Sequence, residues 1–568
     1  MIAGRGAVLL GDELGSGWRA MWTAQRTWLS LREGLGWPTG ARDLAAPLGG
    51  AFVSPSPLFD AITLPLRAVM GPVSAFDVVA MAHLLLAAVG GWWLGRMAGL
   101  RAPGALVSGT VFGFNALLLS AGAASGAPEV LGMAWVPVAL GAVAWLMRAP
   151  GPRSGIAAAL SVTLMGLADP HLALFAPLVA PALLLPWLAE RAARARVDLA
   201  GTGRALLWVT LGVAGAAALS GWLLGPLLSA VQDPDALLAP GGLSPAPLAS
   251  PEGLGGALSG FATLSGALLP SSADVLHSGG AAVSTVAIYA GWLSLGLAAA
   301  GARVGRLRWL ALALLSLTLA MGPYLLVTPD GWRPVPVPWW TWLSHTFPQY
   351  ALIQHYVRAM AFAFAGLAVL AGAGADLLFE RAGRRAWVPW ATSALILAET
   401  LALSPLPTPL PNASVWIPGA VTRLDTLPVQ GAILDWPQRE GSASDEIPRY
   451  LYYQLWHHRP IFTDLASGVG PTGLEGNPFF AGLERLTYGD AYRSPAWGEA
   501  TSMPISDGIS AMRGMGYAYL VLHPWHLAPE RRAQVTAWLS RTLTVASEEA
   551  DGSVVYALRP STSELTSR

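Results

Sequence analysis

Arginine recurs in every second gap between the apolar segments of this chain. The gaps that carry it lie at residues 96–101, 148–153, 191–204, 303–308 and 381–385. Cationic residues resist translocation, so short arginine-rich loops stay on the cytoplasmic side of a membrane. The spacing therefore predicts a chain that crosses a membrane many times, with the remaining gaps facing outward.

Composition supports a membrane protein. Hydrophobic residues make up 54% of the chain and charged residues 12%, and the mean hydropathy is +0.49. These values exceed those usual for a soluble chain of this length. The formal net charge is zero, which gives no indication of nucleic-acid binding. Without cysteine, neither disulfides nor thiolate metal sites can form.

About ten segments can span a bilayer, whose core of about 30 Å requires roughly 20 apolar helical residues. We interpret residues 155–188 as two helices, because a single span would place Asp169 and His171 in mid-membrane and break the alternation of arginine-bearing gaps. The predicted spans lie near residues 77–96, 104–123, 129–147, 155–169, 172–188, 205–230, 281–300, 309–327, 358–378 and 387–403.

Three regions follow from this pattern. Residues 1–76 form a first extracytoplasmic loop, in which Trp18, Met21 and Trp22 share one face of a helix suited to the membrane interface. Residues 77–403 form the transmembrane domain, with extracytoplasmic loops at 231–280 and 328–357. After a proline-rich linker, residues 404–568 carry strand-like pieces at 431–435 and 517–522 and a helix-like run at 529–542. The predicted fold is an all-α polytopic bundle with a C-terminal extracytoplasmic α/β domain.

An even number of spans places both chain ends outside, yet residues 1–76 have no preceding signal to carry them across. This favours a further helix before Asp12, with Val8, Leu9 and Leu10 as its last turn. The alternative is a short amino terminus that the first span pulls across the membrane.

Asp12 and Glu13 lead the first outer loop and are candidate catalytic carboxylates. Next to a cavity between the spans, such a carboxylate could take a proton from an acceptor hydroxyl. The alternative is helix capping, since acidic residues are favoured in the first turn of a helix.

Asp169 and His171 lie on a tight outward turn. A carboxylate and an imidazole at membrane depth could move a proton or bind a metal ion. Asp-Pro is also an ordinary turn sequence, in which Asp169 would cap the next helix. Both interpretations remain open at this stage.

The loop at 328–357 is rich in aromatic residues, including Trp340, and carries His355. Aromatic rings stack on sugars, but they also anchor helices at the interface. Arg358 opens an apolar helix on the outward side, against the inside bias of the other arginines. It could clamp a phosphate with paired hydrogen bonds or extend to lipid headgroups.

Several motifs in order resemble the bacterial polytopic membrane proteins related to GT-C superfamily glycosyltransferases, which take sugars from polyprenyl-phosphate carriers. Shorter matches continue through the loop before Arg358 and into the tail, so the resemblance covers most of the chain. The motifs are Gly11-Asp12, the tryptophan-rich helix after it, Pro47-Leu48-Gly49-Gly50, Pro57-Leu58-Phe59-Asp60, Met70-Gly71-Pro72, Gly109-Thr110-Val111-Phe112-Gly113-Phe114-Asn115, Trp135-Val136-Pro137 and Gly431-Ala432-Ile433-Leu434-Asp435-Trp436-Pro437.

The resemblance implies that Asp12 is the catalytic base, with Glu13 as the fallback, and that a helix precedes Asp12. The second outer turn offers Glu129 as its one acid. The implied function is transfer of a sugar from a polyprenyl-phosphate carrier to an extracytoplasmic glycan, lipid or protein acceptor. Asp169, His171 and Arg358 would line the substrate site.

The implied location is the cytoplasmic membrane. No residue pattern specifies a cofactor, and the sequence leaves open whether a divalent metal ion binds. The alternative function is a non-catalytic scaffold or accessory protein in cell-envelope assembly. A secondary transporter is disfavoured, because the spans carry few charges and no inverted repeat is evident.

Overall fold

The structure is a computed structural model, and its described residues cover most of the helical part and most of the tail. They are residues 8–11, 16–32, 39–41, 50–52, 54–195, 199–231, 288–303, 306–325, 335–347, 350, 353, 355–404, 410–440, 445–446, 449–461, 474, 476–489 and 504–558. Most of the predicted loop at 231–280, the linker residues 405–409 and the acids Asp12 and Glu13 lie outside them.

The described part of the first 403 residues is mostly helical. In chain order they form β1 (Val8–Leu10), α1 (Gly17–Arg32), β2 (Thr39–Ala41), β3 (Gly50–Phe52), α2 (Pro57–Met70), α3 (Pro72–Met97), α4 (Ala102–Gly113), a π-helix (Leu118–Ala124), α5 (Pro128–Leu131), a 3₁₀ turn (Gly132–Ala134), α6 (Trp135–Arg148), α7 (Pro152–Ala168), α8 (Pro170–Ala195), α9 (Leu199–Val231), α10 (Trp292–Ala302), α11 (Leu307–Ala320), β4 (Tyr324–Leu325), β5 (Val335–Pro336), α12 (Pro338–Thr346), a 3₁₀ turn (Tyr356–Ala359), α13 (Met360–Arg381) and α14 (Trp387–Leu403).

Each of the ten predicted spans contains a helix, and the protein is a multi-pass membrane protein. Among the described residues, five helical segments are long and apolar enough to cross a bilayer. A bent pair, α4 with the π-helix, raises that number to six. Three further apolar helices, α10, α11 and α14, are shorter.

The predicted span at 104–123 is broken rather than continuous. α4 ends at Gly113, and the π-helix that follows is bent from it by 53°. Asn115 stabilises the break, since its amide donates to the carbonyl of Phe112 at 2.5 Å and its Oδ1 accepts from the backbone N–H of Leu118 at 2.9 Å. π-Helical turns are frequent at functional sites, and this one leads into the second outer turn.

Glycines allow α4, α10 and α13 to pack with their backbones close together. A Cβ added to Gly301 of α10 would overlap the carbonyl oxygen of Leu370, and one added to Gly374 of α13 would overlap that of Leu297. Gly104 and Gly372 approach one another in the same way. Small residues at helix interfaces allow such contacts in membranes, where apolar burial between helices gives little driving force.

The tail contains a four-stranded mixed sheet, as the sequence pattern predicts. Its strand order is β11-β12-β10-β7, and β7 and β10 are parallel neighbours. The elements after the membrane part are β6 (Asn412–Ser414), α15 (Gly419–Leu424), β7 (Ala432–Trp436), β8 (Arg439–Glu440), β9 (Asp445–Glu446), α16 (Arg449–His457), α17 (Pro478–Tyr488), α18 (Ile505–Gly514), β10 (Tyr517–Leu522), a 3₁₀ turn (Pro524–His526), α19 (Pro529–Thr542), β11 (Thr544–Glu548) and β12 (Val554–Ala557).

Every residue of β7 and β10 is buried, because helices cover both faces of the sheet. Residues of α15, such as Ala420 and Leu424, pack on one face. The other face packs against α17, α18 and α19, with Phe479 and Leu539 in its core. Parallel neighbouring strands are usually covered on both sides in this way.

Asp435 and His523 form a buried pair where β7 and β10 end. His523 Nε2 and Asp435 Oδ1 are 2.8 Å apart. Burial lowers the pKa of His523 below its ordinary value and that of His457 to about 4. The adjacent His458 is exposed, so the two neighbouring histidines face different surroundings.

The first outer loop packs against the tail. β1 pairs antiparallel with β6, with Leu9 opposite Ala413. Val8–Leu10 is therefore a strand, and the expectation that these residues end a helix is wrong. A helix would leave the edge of β6 without this partner.

α1 also packs on protein rather than on the membrane interface. The ring centroids of Trp18 and Tyr452 are 5.2 Å apart. The indole N–H of Trp22 donates to the side-chain oxygen of Gln454 in α16. Trp18, Met21 and Trp22 are at most 2% exposed. The helical face assigned to the membrane interface is thus an interface with the tail, because α16 offers a complementary aromatic surface.

Substituting Gly374 tests the close packing of α10 and α13. We expect Gly374→Ala to destabilise the protein by about 1–3 kcal/mol, since the added methyl group must displace the backbone of α10. The measurement is the thermal unfolding midpoint of the full-length protein in one detergent. Gly296→Ala is the matched control in α10, where a Cβ meets no atom within 4 Å. Equal midpoints for both variants would contradict the packing argument.

Candidate active site

A buried ion network joins three turns at one end of the bundle. Arg358 Nη1 donates to Asp169 Oδ2 at 2.9 Å, and Arg358 Nη2 donates to Glu129 Oε1 at 3.2 Å. The three residues are 4%, 0% and 6% exposed, respectively. Unpaired charges are rarely buried, so each side chain holds the others in place.

Each member is positioned by a helix start. Glu129 lies in the first turn of α5, immediately after the second outer turn. Asp169 lies between α7 and α8, and Arg358 lies in the 3₁₀ turn that precedes α13. These helix starts all lie at the end of the bundle opposite to the arginine-rich gaps, so residues far apart in the sequence meet there.

His171 extends the network. Its Nδ1 lies 2.9 Å from Asp169 Oδ1, and its backbone N–H donates to the same oxygen at 3.0 Å. The Nε2 atom of His171 is buried without a hydrogen-bond partner among the described residues. It therefore has unused capacity to donate or accept a proton.

His355 lies next to His171, with ring centroids 5.7 Å apart in an edge-on arrangement. Burial, with the nearby Arg358 guanidinium as the next cause, keeps the pKa of His355 well below its usual range. Since the shift disfavours the charged form, His355 is a neutral imidazole at pH 7.

The electrostatics keep Asp169 ionised despite its burial. Burial alone would raise its pKa, but Arg358 and His171 oppose this and hold the pKa of Asp169 below its ordinary value. The network thus contains two carboxylates, those of Glu129 and Asp169, and one guanidinium, that of Arg358. The described residues contain no group of three His, Asp or Glu side chains arranged to hold a metal ion.

An apolar cavity begins one helical turn from the network. It has a volume of about 320 Å³ and lies among α6, α7, α8 and α9. Its lining includes Met165 and Ala173, one turn before and after Asp169, and Phe362, one turn after Arg358. The polar network thus lies about one helical turn from an apolar cavity, an arrangement that suits an amphipathic ligand.

Of the predicted site residues, the structure brings together Asp169, His171, His355 and Arg358. Trp340 is fully buried and packs edge-on against Tyr356, with ring centroids 5.1 Å apart. It therefore supports the turn that carries Arg358, and it offers no open surface for a sugar in this structure.

Asp12 and Glu13 lie outside the described residues, but the chain on both sides of them contacts the second outer turn. The backbone N–H of Ser16 donates to the carbonyl of Ser125 at 2.8 Å. Gly11, at φ +117°, lies so close to Gly126 that an added Cβ would be 3.2 Å from its nitrogen. That turn leads directly to Glu129.

Glu129 is the one acid that the sequence offers in the second outer turn, and no role was predicted for it. A signal was present, because Pro128-Glu129 opens an apolar helix, and a carboxylate at membrane depth needs a partner. The identity of that partner could not be derived from the sequence, since Arg358 lies far along the chain.

Comparison with known proteins supports the fold. No model of a known protein family matches the sequence, and no curated protein matches it. Among solved structures, a mutant form of the arabinofuranosyltransferase AftD from Mycobacteria is similar in two classes. Their TM-scores are 0.56 and 0.52, with 14% and 16% identity, and each match covers 98% of this chain and 40% of that chain. The chain thus spans less than half of AftD.

A weaker likeness is to ArnT from Cupriavidus metallidurans in the apo state, with a TM-score of 0.42 and 11% identity over 98% of this chain and 95% of that chain. The similarity to AftD confirms, for the fold, the resemblance to GT-C glycosyltransferases found in the sequence motifs.

Removing the cation tests the ion network. We expect Arg358→Gln to destabilise the protein by about 3–5 kcal/mol, because two buried carboxylates lose their counterion. Adding Asp169→Asn to this variant should recover part of the loss, since fewer buried charges then remain uncompensated. Thermal unfolding of the full-length protein measures both effects, with the exposed Arg385→Gln as the control. Strictly additive losses in the double variant would contradict the network.

Proposed function

We propose that the protein is an integral membrane glycosyltransferase of the GT-C type, which transfers a sugar from a polyprenyl-phosphate carrier to an extracytoplasmic acceptor. One observation carries the proposal: Arg358, with its ion network, lies one helical turn from Phe362 in the wall of the apolar cavity. An amphipathic donor has the same order of parts, a charged phosphate next to a long apolar chain.

Arg358 is proposed to hold the carrier phosphate. A guanidinium has five N–H donors in a rigid fork, so the hydrogen bonds to Asp169 and Glu129 leave further donors for phosphate oxygens. The two carboxylates also fix the orientation of the fork before the donor arrives. Preorganised donors of this kind stabilise charge that develops on a leaving phosphate.

The apolar cavity is proposed to receive the first part of the polyprenyl chain. Its lining comes from side chains such as Leu140, Val162 and Ala176, which offer contacts to hydrocarbon. Burial of hydrocarbon stabilises the complex by roughly 25 cal/mol per Å² of apolar area removed from water.

Asp12 is proposed as the general base, with Glu13 as the fallback. In the transfer step, the acceptor hydroxyl gives its proton to the carboxylate and its oxygen bonds to the anomeric carbon of the sugar. The bond between that carbon and the phosphate oxygen breaks, and the polyprenyl phosphate leaves with the electron pair. The anchoring of Gly11 and Ser16 to the second outer turn supports this role, because that turn leads to Glu129.

His171 is proposed to move a proton at the same site. Its buried Nε2 has no hydrogen-bond partner among the described residues, whereas its Nδ1 is oriented by Asp169. An imidazole held by a carboxylate at one nitrogen can exchange a proton at the other. Here it would neutralise charge on the phosphate, next to two carboxylates that would otherwise repel it.

The proposed topology has about ten spans, with the arginine-rich helix ends in the cytoplasm. The shorter helices α7, α10, α11 and α14 complete this number, since protein-sheltered helices need fewer apolar residues. The ion network and the tail then face outward from the cytoplasmic membrane. In this orientation the carrier phosphate and the acceptor meet outside the cytoplasm.

The catalytic assignment is tested in cells whose own copy of the gene is replaced by Asp12→Asn or Arg358→Lys. We expect a loss of product glycan of about 100-fold or more for Asp12→Asn, typical of a missing general base. Arg358→Lys retains the charge but loses the paired hydrogen bonds. The readouts are glycan composition and the pool of lipid-linked sugars, with exposed Asp507→Asn and Arg385→Gln as controls. Unchanged glycans in both variants, where deletion alters them, would favour the scaffold alternative.

The donor assignment is tested by filling the cavity. We expect Ala176→Trp to weaken binding of undecaprenyl phosphate, used as the probe, by about tenfold or more, because the indole occupies volume meant for the chain. Binding is measured by native mass spectrometry of the full-length protein. Leu185→Trp, at a position 62% exposed on the same helix, is the control. Equal binding by both variants would rule out the cavity as the site of the chain.

A further inference from the structure

The turn that joins α3 to α4, residues 96–100, is surrounded by arginines at the end of the bundle opposite to the ion network. Arg148, at the end of α6, contributes the first. Its Nη1 donates to the carbonyl oxygens of Arg96 at 3.0 Å and Met97 at 3.1 Å. The side chain thus caps the last carbonyls of α3.

Two more guanidiniums complete the arrangement. Arg306, next to the start of α11, donates from Nη1 to Ala98 at 2.7 Å and from Nη2 to Gly99 at 3.5 Å. Arg96 donates from Nη1 to Leu100 at 3.1 Å. Side chains from three separate helix ends therefore satisfy five consecutive carbonyl oxygens, which brings three guanidiniums around a single turn. We call Arg96, Arg148 and Arg306 the arginine cluster.

The charge of the arginine cluster exceeds what the turn needs. The end of a helix carries a negative charge of about one half, against three full positive charges. Of the nearby carboxylates, Glu380 pairs with Arg101. Asp376 accepts from the backbone N–H groups of Arg101 and Gly104, and its negative charge, which also acts on Arg306, offsets one of the three positive charges. The cluster therefore keeps an excess of positive charge that favours an anion.

The cluster is accessible and borders apolar surface. Arg96 and Arg148 are exposed and Arg306 is half-buried, and each guanidinium has N–H donors beyond those given to the turn. Trp92, one turn before Arg96, is 43% exposed, and Leu307, next to Arg306, is 69% exposed. A ligand at this position would meet cationic donors at one end and hydrocarbon-like surface at the other.

We propose that the arginine cluster binds the phosphate headgroup of an anionic phospholipid, whose acyl chains lie along Trp92 and Leu307. Basic sites between transmembrane helices recognise such headgroups, and the cytoplasmic leaflet is rich in anionic lipid. In the topology proposed above, the cluster faces that leaflet. The binding site itself is independent of the glycosyltransferase assignment, because it lies at the other end of the bundle.

The experiment compares the full-length protein in vesicles of phosphatidylcholine alone and in vesicles of phosphatidylcholine with phosphatidylglycerol. The protein is then purified, and the lipid that it retains is measured by native mass spectrometry. For Arg148→Gln combined with Arg306→Gln, we expect retention of phosphatidylglycerol to fall roughly 25-fold, a factor of about five for each arginine removed. Arg385→Gln, an exposed arginine on the same side, is the matched control and should retain the lipid as the wild type does.

Two further measurements distinguish a lipid site from a free-phosphate site. Arg306→Lys keeps the charge and the fold but loses the paired donors, so it should retain less phosphatidylglycerol than the wild type does. Inorganic phosphate at millimolar concentration should not displace the lipid. Wild-type retention by both substituted forms would overturn the proposal. Displacement by phosphate would also overturn it, in favour of a free-phosphate site. Neither result would bear on the transfer reaction, whose tests use Asp12, Arg358 and the cavity.

Discussion

The ion network of Arg358 with Asp169 and Glu129 is the constraint on which the outer end of the bundle depends. A guanidinium buried beside two carboxylates is stable only when all three side chains are correctly placed to form their ion pairs, because each charge taken out of water needs its partner. The network therefore fixes three helix starts relative to one another. Of these helices, α8 and α13 carry Ala173 and Phe362 into the cavity wall, and α7, which ends next to Asp169, carries Met165 there, so the position of the cavity follows from the position of the charges.

The membrane part could be predicted from the sequence to a useful degree. Alternating arginine gaps and apolar length identified ten helical segments. In the tail, strand patterning identified β7 and β10, and a helix-like run identified α19. The signal is strong in each case because it is local: each element is a continuous run of residues with one hydropathy pattern, bounded by turns. The break after α4 was missed, since Asn115 acts through backbone hydrogen bonds that hydropathy does not detect.

Long-range partners were beyond sequence reasoning. Asp169, His171 and Arg358 were expected to line one substrate site because of the family resemblance, but the ion pair between Asp169 and Arg358 and the inclusion of Glu129 are seen only in the structure. The aromatic face of α1 was assigned to lipid because tryptophan suits both an interface and a protein core. Only the presence of α16, with Tyr452 and Gln454, distinguishes the two environments. Val8–Leu10 was misassigned for a similar reason, as a short apolar run fits a strand or a helix.

The pairing of β1 with β6 has a consequence for biosynthesis. Among the described residues, β1 precedes the membrane helices and β6 follows α14, so this ribbon can close only after the ribosome has delivered the helical region between them. Contacts between such distant segments form late, because the intervening chain must be ordered first. The first outer loop, which contains Asp12 and Glu13, therefore cannot complete its packing until the tail has been synthesised. An incompletely synthesised chain would have an inserted bundle without a finished outer surface, which delays any chemistry there until the protein is complete.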